Sequence, residues 1–114
     1  MSAEAEKHIQ YKDELVRQAK IHYGAVWCIT NKPSRKEATP EEFYFRKPTN
    51  AQFREIIKAS QGGDVTYLSH YVATELYVCS KAPLPQKDDA RILSIATELI
   101  PKVVGGGDTS VKEI

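Results

Sequence analysis

Twelve residues, Glu42-Phe43-Tyr44-Phe45-Arg46-Lys47-Pro48-Thr49-Asn50-Ala51-Gln52-Phe53, write a strand, a stop and a helix start in immediate succession. Phe43-Tyr44-Phe45 is an aromatic run suited to a half-buried strand. Pro48 has no N–H to give to a ladder and holds Lys47 in extended geometry, so the strand ends there. Thr49 and Gln52 have the spacing of a capping box, in which hydroxyl and amide each satisfy an orphan backbone donor. A chain built around this junction mixes strand and helix.

The pattern on either side extends that reading. Residues 3–22 form a charged helix with a narrow apolar stripe (Ile9, Leu15, Val16, Ala19), and Gly24 is placed to end it in a left-handed conformation. Val26-Trp27-Cys28-Ile29-Thr30 has strand composition. The polar segment 31–40, with two prolines, is turn chemistry. Strands over 25–30 and 42–47 joined by such a segment make an antiparallel hairpin, which needs helices against its face to be stable.

Three helices are predicted to follow: 49–61, 65–80 and 88–103. Phe53, Ile56 and Ile57 share a face of the first, and Gly62-Gly63 stops it. Asp64 caps the second, in which Val65, Leu68, Val72, Leu76 and Cys79 form one row and Tyr67, Tyr71, Thr74 and Val78 the next. Asp88 or Asp89 caps the third, whose core row is Ile92, Ile95, Ala96, Leu99 and Val103, with Pro101 kinking or ending it. Gly105-Gly106-Gly107 opens a polar tail, 105–114, that reads as flexible. The expectation is one α+β domain over residues 1–104: an N-terminal helix, one antiparallel β-hairpin and a three-helix C-terminal region.

At 114 residues and 41% apolar content the chain can bury a core without staples. Sixteen basic and fifteen acidic side chains leave a net charge of +1, which argues against non-specific nucleic-acid binding. Cys28 and Cys79 have neither a CxxC nor a metal-ligand spacing, and their apolar neighbours suggest two buried, reduced thiols; a bridge between them is geometrically conceivable. The polar start, and the lack of any apolar run near the roughly 20 residues that cross a bilayer, point to a cytosolic protein without membrane contact.

Catalytic and cofactor chemistry finds no foothold. His8 and His22 lie about 21 Å apart along one helix, too far to share a metal ion, and His70 sits in an apolar helix where a satisfied histidine is the simpler reading. No nucleophile elbow or phosphate loop is present. Glu41-Glu42 and Asp88-Asp89 are adjacent pairs at element starts, where carboxylates cap or solvate. A base-stacking sheet needs four strands, and two are expected. The chain reads as a non-enzyme with no catalytic, cofactor-binding or metal-binding residue and no cofactor.

Tyrosine is the exception to this blandness, six among ten aromatic residues. Tyr67 and Tyr71 fall at i, i+4 on one helix, with Tyr77 on another side. Tyrosine at a domain edge combines an apolar body with a wet polar tip, which suits partner surfaces. Tyr67, Tyr71 and Tyr77 are therefore the candidate partner-binding residues.

Tyr23-Gly24-Ala25-Val26-Trp27-Cys28-Ile29, a polar turn, and Phe43-Tyr44-Phe45-Arg46-Lys47-Pro48-Thr49 together resemble the front half of a family of phage tail assembly chaperones, small proteins with a Y-G-x-V-aromatic strand before an F-R-K-P strand and helices. The resemblance covers residues 9–100 in outline and is specific over 23–53. It implies a protein that binds the tape measure protein and tail tube subunits during tail morphogenesis, works in the host cytoplasm and is absent from the mature virion. In related phages a frameshift near the end of such a chain appends a second domain. Two other readings stand beside it: a minor structural or adaptor protein of the head–tail or tail, and a small nucleic-acid-binding regulator.

Overall fold

The aromatic run Phe43–Phe45 lies on the central strand of a three-stranded antiparallel sheet. In chain order the elements are α1 (Ala3–Tyr23), β1 (Val26–Asn31), β2 (Glu41–Arg46), α2 (Asn50–Gly62), α3 (Val65–Glu75), β3 (Tyr77–Ser80) and α4 (Asp89–Val104), and the sheet order is β1-β2-β3. The structure, a computed structural model, describes residues 3–33 and 38–104, with side chains from Lys12 onward. The tail expected over 105–114 and the side chain of His8 lie outside the described residues. The fold is α+β, as the junction requires.

Each local signal in that junction has its physical counterpart. Gln52 donates its backbone N–H to the Thr49 hydroxyl (3.2 Å) while its own side chain accepts from the Thr49 N–H (3.1 Å), so the capping box is complete. Gly63 ends α2 at φ 78°, a conformation only glycine adopts without strain, and Asp64 then caps α3 by accepting from the Tyr67 N–H at 3.0 Å. Asp88, not Asp89, caps α4, accepting from the Arg91 N–H at 3.2 Å. Pro101 does not end α4, which runs on to Val104 and buries Val103.

The expected helix over 65–80 is a correction. α3 stops at Glu75, Leu76 is its C-cap, and Tyr77–Ser80 turn back as β3 against β2. The hairpin thus becomes a three-stranded sheet and the C-terminal helices are split by a strand. Backbone pairing explains the switch. The Arg46 N–H donates to the Leu76 carbonyl at 2.9 Å, and the Arg46 guanidinium donates to the Glu75 carbonyl at 3.2 Å. These bonds occupy the C-terminal carbonyls of α3 just as the next residues gain ladder partners on β2. The β2–β3 register slips by one residue between Tyr44 and Phe45, leaving Val78 as a bulge.

The two faces of the sheet differ. Trp27, Ile29, Phe43, Phe45 and Tyr77 point to the inner face, where Ile56, Leu68, Val72, Leu76, Ile92, Ile95 and Leu99 complete the core. Phe43 and Phe45 are fully buried, and burial of such a side chain is worth about 1.5–3 kcal/mol. Cys28, Tyr44 and Cys79 stand in one cross-strand row on the outer face, under α1, which packs chiefly against β3. No described helix is long and apolar enough to cross a membrane.

Two arginines tie the layers together. Arg46 stacks on the Tyr23 ring at 3.8 Å and donates to Gln52 Oε1 at 3.0 Å, so α1, β2, α2 and α3 meet at one side chain. Arg91 of α4 donates to Asn31 Oδ1 (2.9 Å) and Glu41 Oε1 (2.7 Å), which face each other on the last rung of the β1–β2 pair.

Candidate partner-binding surface

α3 is short, and its sequence divides it sharply. Leu68, Ser69, Val72 and Ala73 are buried, and the Ser69 hydroxyl is satisfied by the Val65 carbonyl at 2.7 Å. On the other side Tyr67 is 49% exposed, a large side chain left in water although apolar in body, while Val65 is 57% exposed at the start of the helix, in the row of Leu68 and Val72. Tyr71, one turn on, is half-buried and packs against the core. The two tyrosine rings lie 6.1 Å apart at a tilt of 36°, within the range of favourable aromatic pairs.

Two carboxylates border the pair. The Tyr71 phenol is held above its ordinary value, first by burial, then by the charges of Glu75 on α3 and Glu55 on α2, and by Tyr67. Burial and these neighbours disfavour loss of the phenol proton. The surface combines an aromatic platform with an acidic margin. In general, such a combination is chemically complementary to a segment that presents an apolar residue beside a cationic one, through ring contact, cation–π attraction and a charge-assisted hydrogen bond.

The structure brings Tyr67 and Tyr71 together and places Tyr77 elsewhere. Tyr77 lies on β3, its ring edge-on to Phe45 at 6.2 Å and its hydroxyl 2.5 Å from Ser80 Oγ. Its ring packs against the core and its polar tip is already engaged, because residue 77 belongs to a strand and not to α3. The residues sequence reasoning missed are Glu55 and Glu75. Glu75 was within reach as the i+4 neighbour of Tyr71; Glu55 arrives only through the packing of α2 on α3.

Other chemistry-bearing groups are accounted for by their neighbours. His70 Nε2 lies 2.7 Å from Asp89 Oδ1, joining α3 to α4. Cys28 is exposed and Cys79 half-buried, contrary to the expectation of two buried thiols. They flank Tyr44 on successive strands, about 10 Å apart at ordinary strand spacing, which is beyond the reach of a disulfide. Burial pushes the Cys79 thiol up, against a smaller lowering by Lys12, so it is a poor nucleophile at neutral pH.

An open cleft of about 670 Å³ lies between α1, the β1–β2 connection and the segment after β3. Three of its polar groups engage one another: Lys12 Nζ donates to the Tyr44 hydroxyl at 3.4 Å, and Tyr44 donates to Glu42 at 3.1 Å. Among the described residues no group of three or more His, Cys, Asp or Glu is placed to hold a metal ion. Compared with protein-family models, curated proteins and solved structures, the chain matches none.

Proposed function

We propose that this chain is a non-enzymatic binding protein that holds another protein against the Tyr67–Tyr71 face of α3. The observation that carries the reading is the exposed tyrosine of a tightly packed aromatic pair, bordered by Glu55 and Glu75. A folded domain gains nothing from leaving such groups in water, whereas an interface gains contact area from rigid side chains with little rotamer entropy to lose.

The specific form of the proposal is a phage tail assembly chaperone, acting in the host cytoplasm on the tape measure protein and tail tube subunits and leaving before the virion matures. Its supports are the two quoted motifs, which lie on β1 and β2 and lead through the capping box into α2. A long helical tape measure protein would lie along α3 as helix on helix, its apolar stripe on the tyrosines. Co-expression with the tape measure protein of the same genome tests this: solubilisation and co-purification are expected, and a tape measure protein that stays insoluble and unbound contradicts it. Mass spectrometry of purified particles separates the adaptor reading, since a chaperone is absent from the finished particle.

A further inference from the structure

The sheet has two edges, and they are protected unequally. β3 is four residues long, carries the Val78 bulge and lies under α1; shortness, bulging and coverage are three ordinary ways of blunting an edge. β1 is neither short nor bulged, and α1 packs against it less than against β3. It has six residues in unbroken register with β2, and Val-Trp-Cys-Ile-Thr-Asn contains no charge and no proline. Among the described residues no strand pairs with its outer side.

The hydrogen-bonding pattern says which groups are open. Lys47 donates its N–H to the Ala25 carbonyl at 2.9 Å, so by antiparallel alternation Trp27, Ile29 and Asn31 bond to β2. Val26, Cys28 and Thr30 then turn their N–H and C=O groups outward. Cys28 and Thr30 also have exposed side chains, and the Trp27 indole on the inner face is only half-buried.

We propose that β1 pairs antiparallel with β1 of a second copy of this chain about a two-fold axis at Cys28, joining two sheets into one of six strands. A second copy fits because the edge complements itself. In this register Cys28 faces Cys28, and Val26 faces Thr30 of the other copy, so every outward N–H and C=O gains a partner. Trp27 falls opposite Ile29 of the other copy in the closer, non-hydrogen-bonded position, an aromatic–β-branched pair of the kind that stabilises sheets. No charged residue of β1 meets a like charge, because β1 has none. An isologous contact of this type closes at two copies and does not propagate.

Sedimentation of the full chain in reductant, from low micromolar to near-millimolar concentration, is expected to show a monomer–dimer equilibrium. Cys28→Lys places two like charges face to face and should raise the dissociation constant by about tenfold or more. Thr30→Lys is the second variant should the first not fold, and circular dichroism of each checks the monomer. A short bismaleimide should link the dimer of a Cys79→Ser chain through the two Cys28 thiols and leave a Cys28→Ser chain unlinked. A chain monomeric at every concentration overturns the proposal. So does a dimer indifferent to Cys28→Lys and Thr30→Lys, which must use another surface. Protection of the β1 amides only when a different protein is bound assigns the edge to that protein and equally rules out self-pairing.

Discussion

Arg46 and Arg91 are two of sixteen basic residues, and nothing in their local sequence separates them from the solvated ones. Arg46 looks like the wet end of a strand, yet it joins four elements. Arg91 looks like a surface helix residue, yet its guanidinium bridges the two strands at the loop end of the β1–β2 pair. Arg91→Met should cost about 2 kcal/mol, since it strips charge-assisted bonds from a partly buried Glu41; denaturant unfolding measures this. Thr49→Ala, which opens the capping box, should cost about 1 kcal/mol by the same measurement. Tyr44 gives a pH dependence. Its phenol is pushed up, first by burial, then by the hydrogen bond to Glu42 and by Cys28. The folded state thus keeps a proton that the unfolded chain releases, so this contribution is fully present below about pH 10 and declines as pH rises above it. Unfolding titrations across the alkaline range should show that decline, and Tyr44→Phe should lessen it.

Elements announced by local chemistry were legible: the strand stopped at Pro48, the Thr49–Gln52 box, the glycine stop at Gly63 and the Asp64 cap all act within a few residues of themselves. β3 was not. Leu76 and Cys79 continue the apolar row of Leu68 and Val72 at helical spacing, and no glycine or proline interrupts the run before Pro83. What turns Tyr77–Ser80 into a strand is the free edge of β2 and the occupation of α3's last carbonyls by Arg46, thirty residues upstream in sequence. That misreading put Tyr77 on a helix, whereas Tyr67 and Tyr71, inside α3, keep their i, i+4 relation. The Cα chemical shifts of Tyr77, Val78, Cys79 and Ser80 are expected to be of strand type; helical shifts through Ser80 would contradict the three-stranded sheet.

At the scale of the molecule, the sheet packs on its inner helices, and α3 buries one side of itself while leaving Tyr67 on the other exposed. Motif reading reached the Tyr67–Tyr71 pair. The acidic margin and the open β1 edge depend on which elements pack together, and neither leaves a mark in local sequence. Tyr67→Ala removes an exposed ring, so it should change stability by less than about 1 kcal/mol while weakening partner binding by about 2 kcal/mol or more if the ring anchors the interface. The most direct test is amide hydrogen exchange of this chain with and without co-purified tape measure protein. The account predicts slowed exchange concentrated in Val65–Glu75 and the adjoining turn of α2 around Glu55. Unchanged exchange there, with protection confined to α1 or α4, would contradict it.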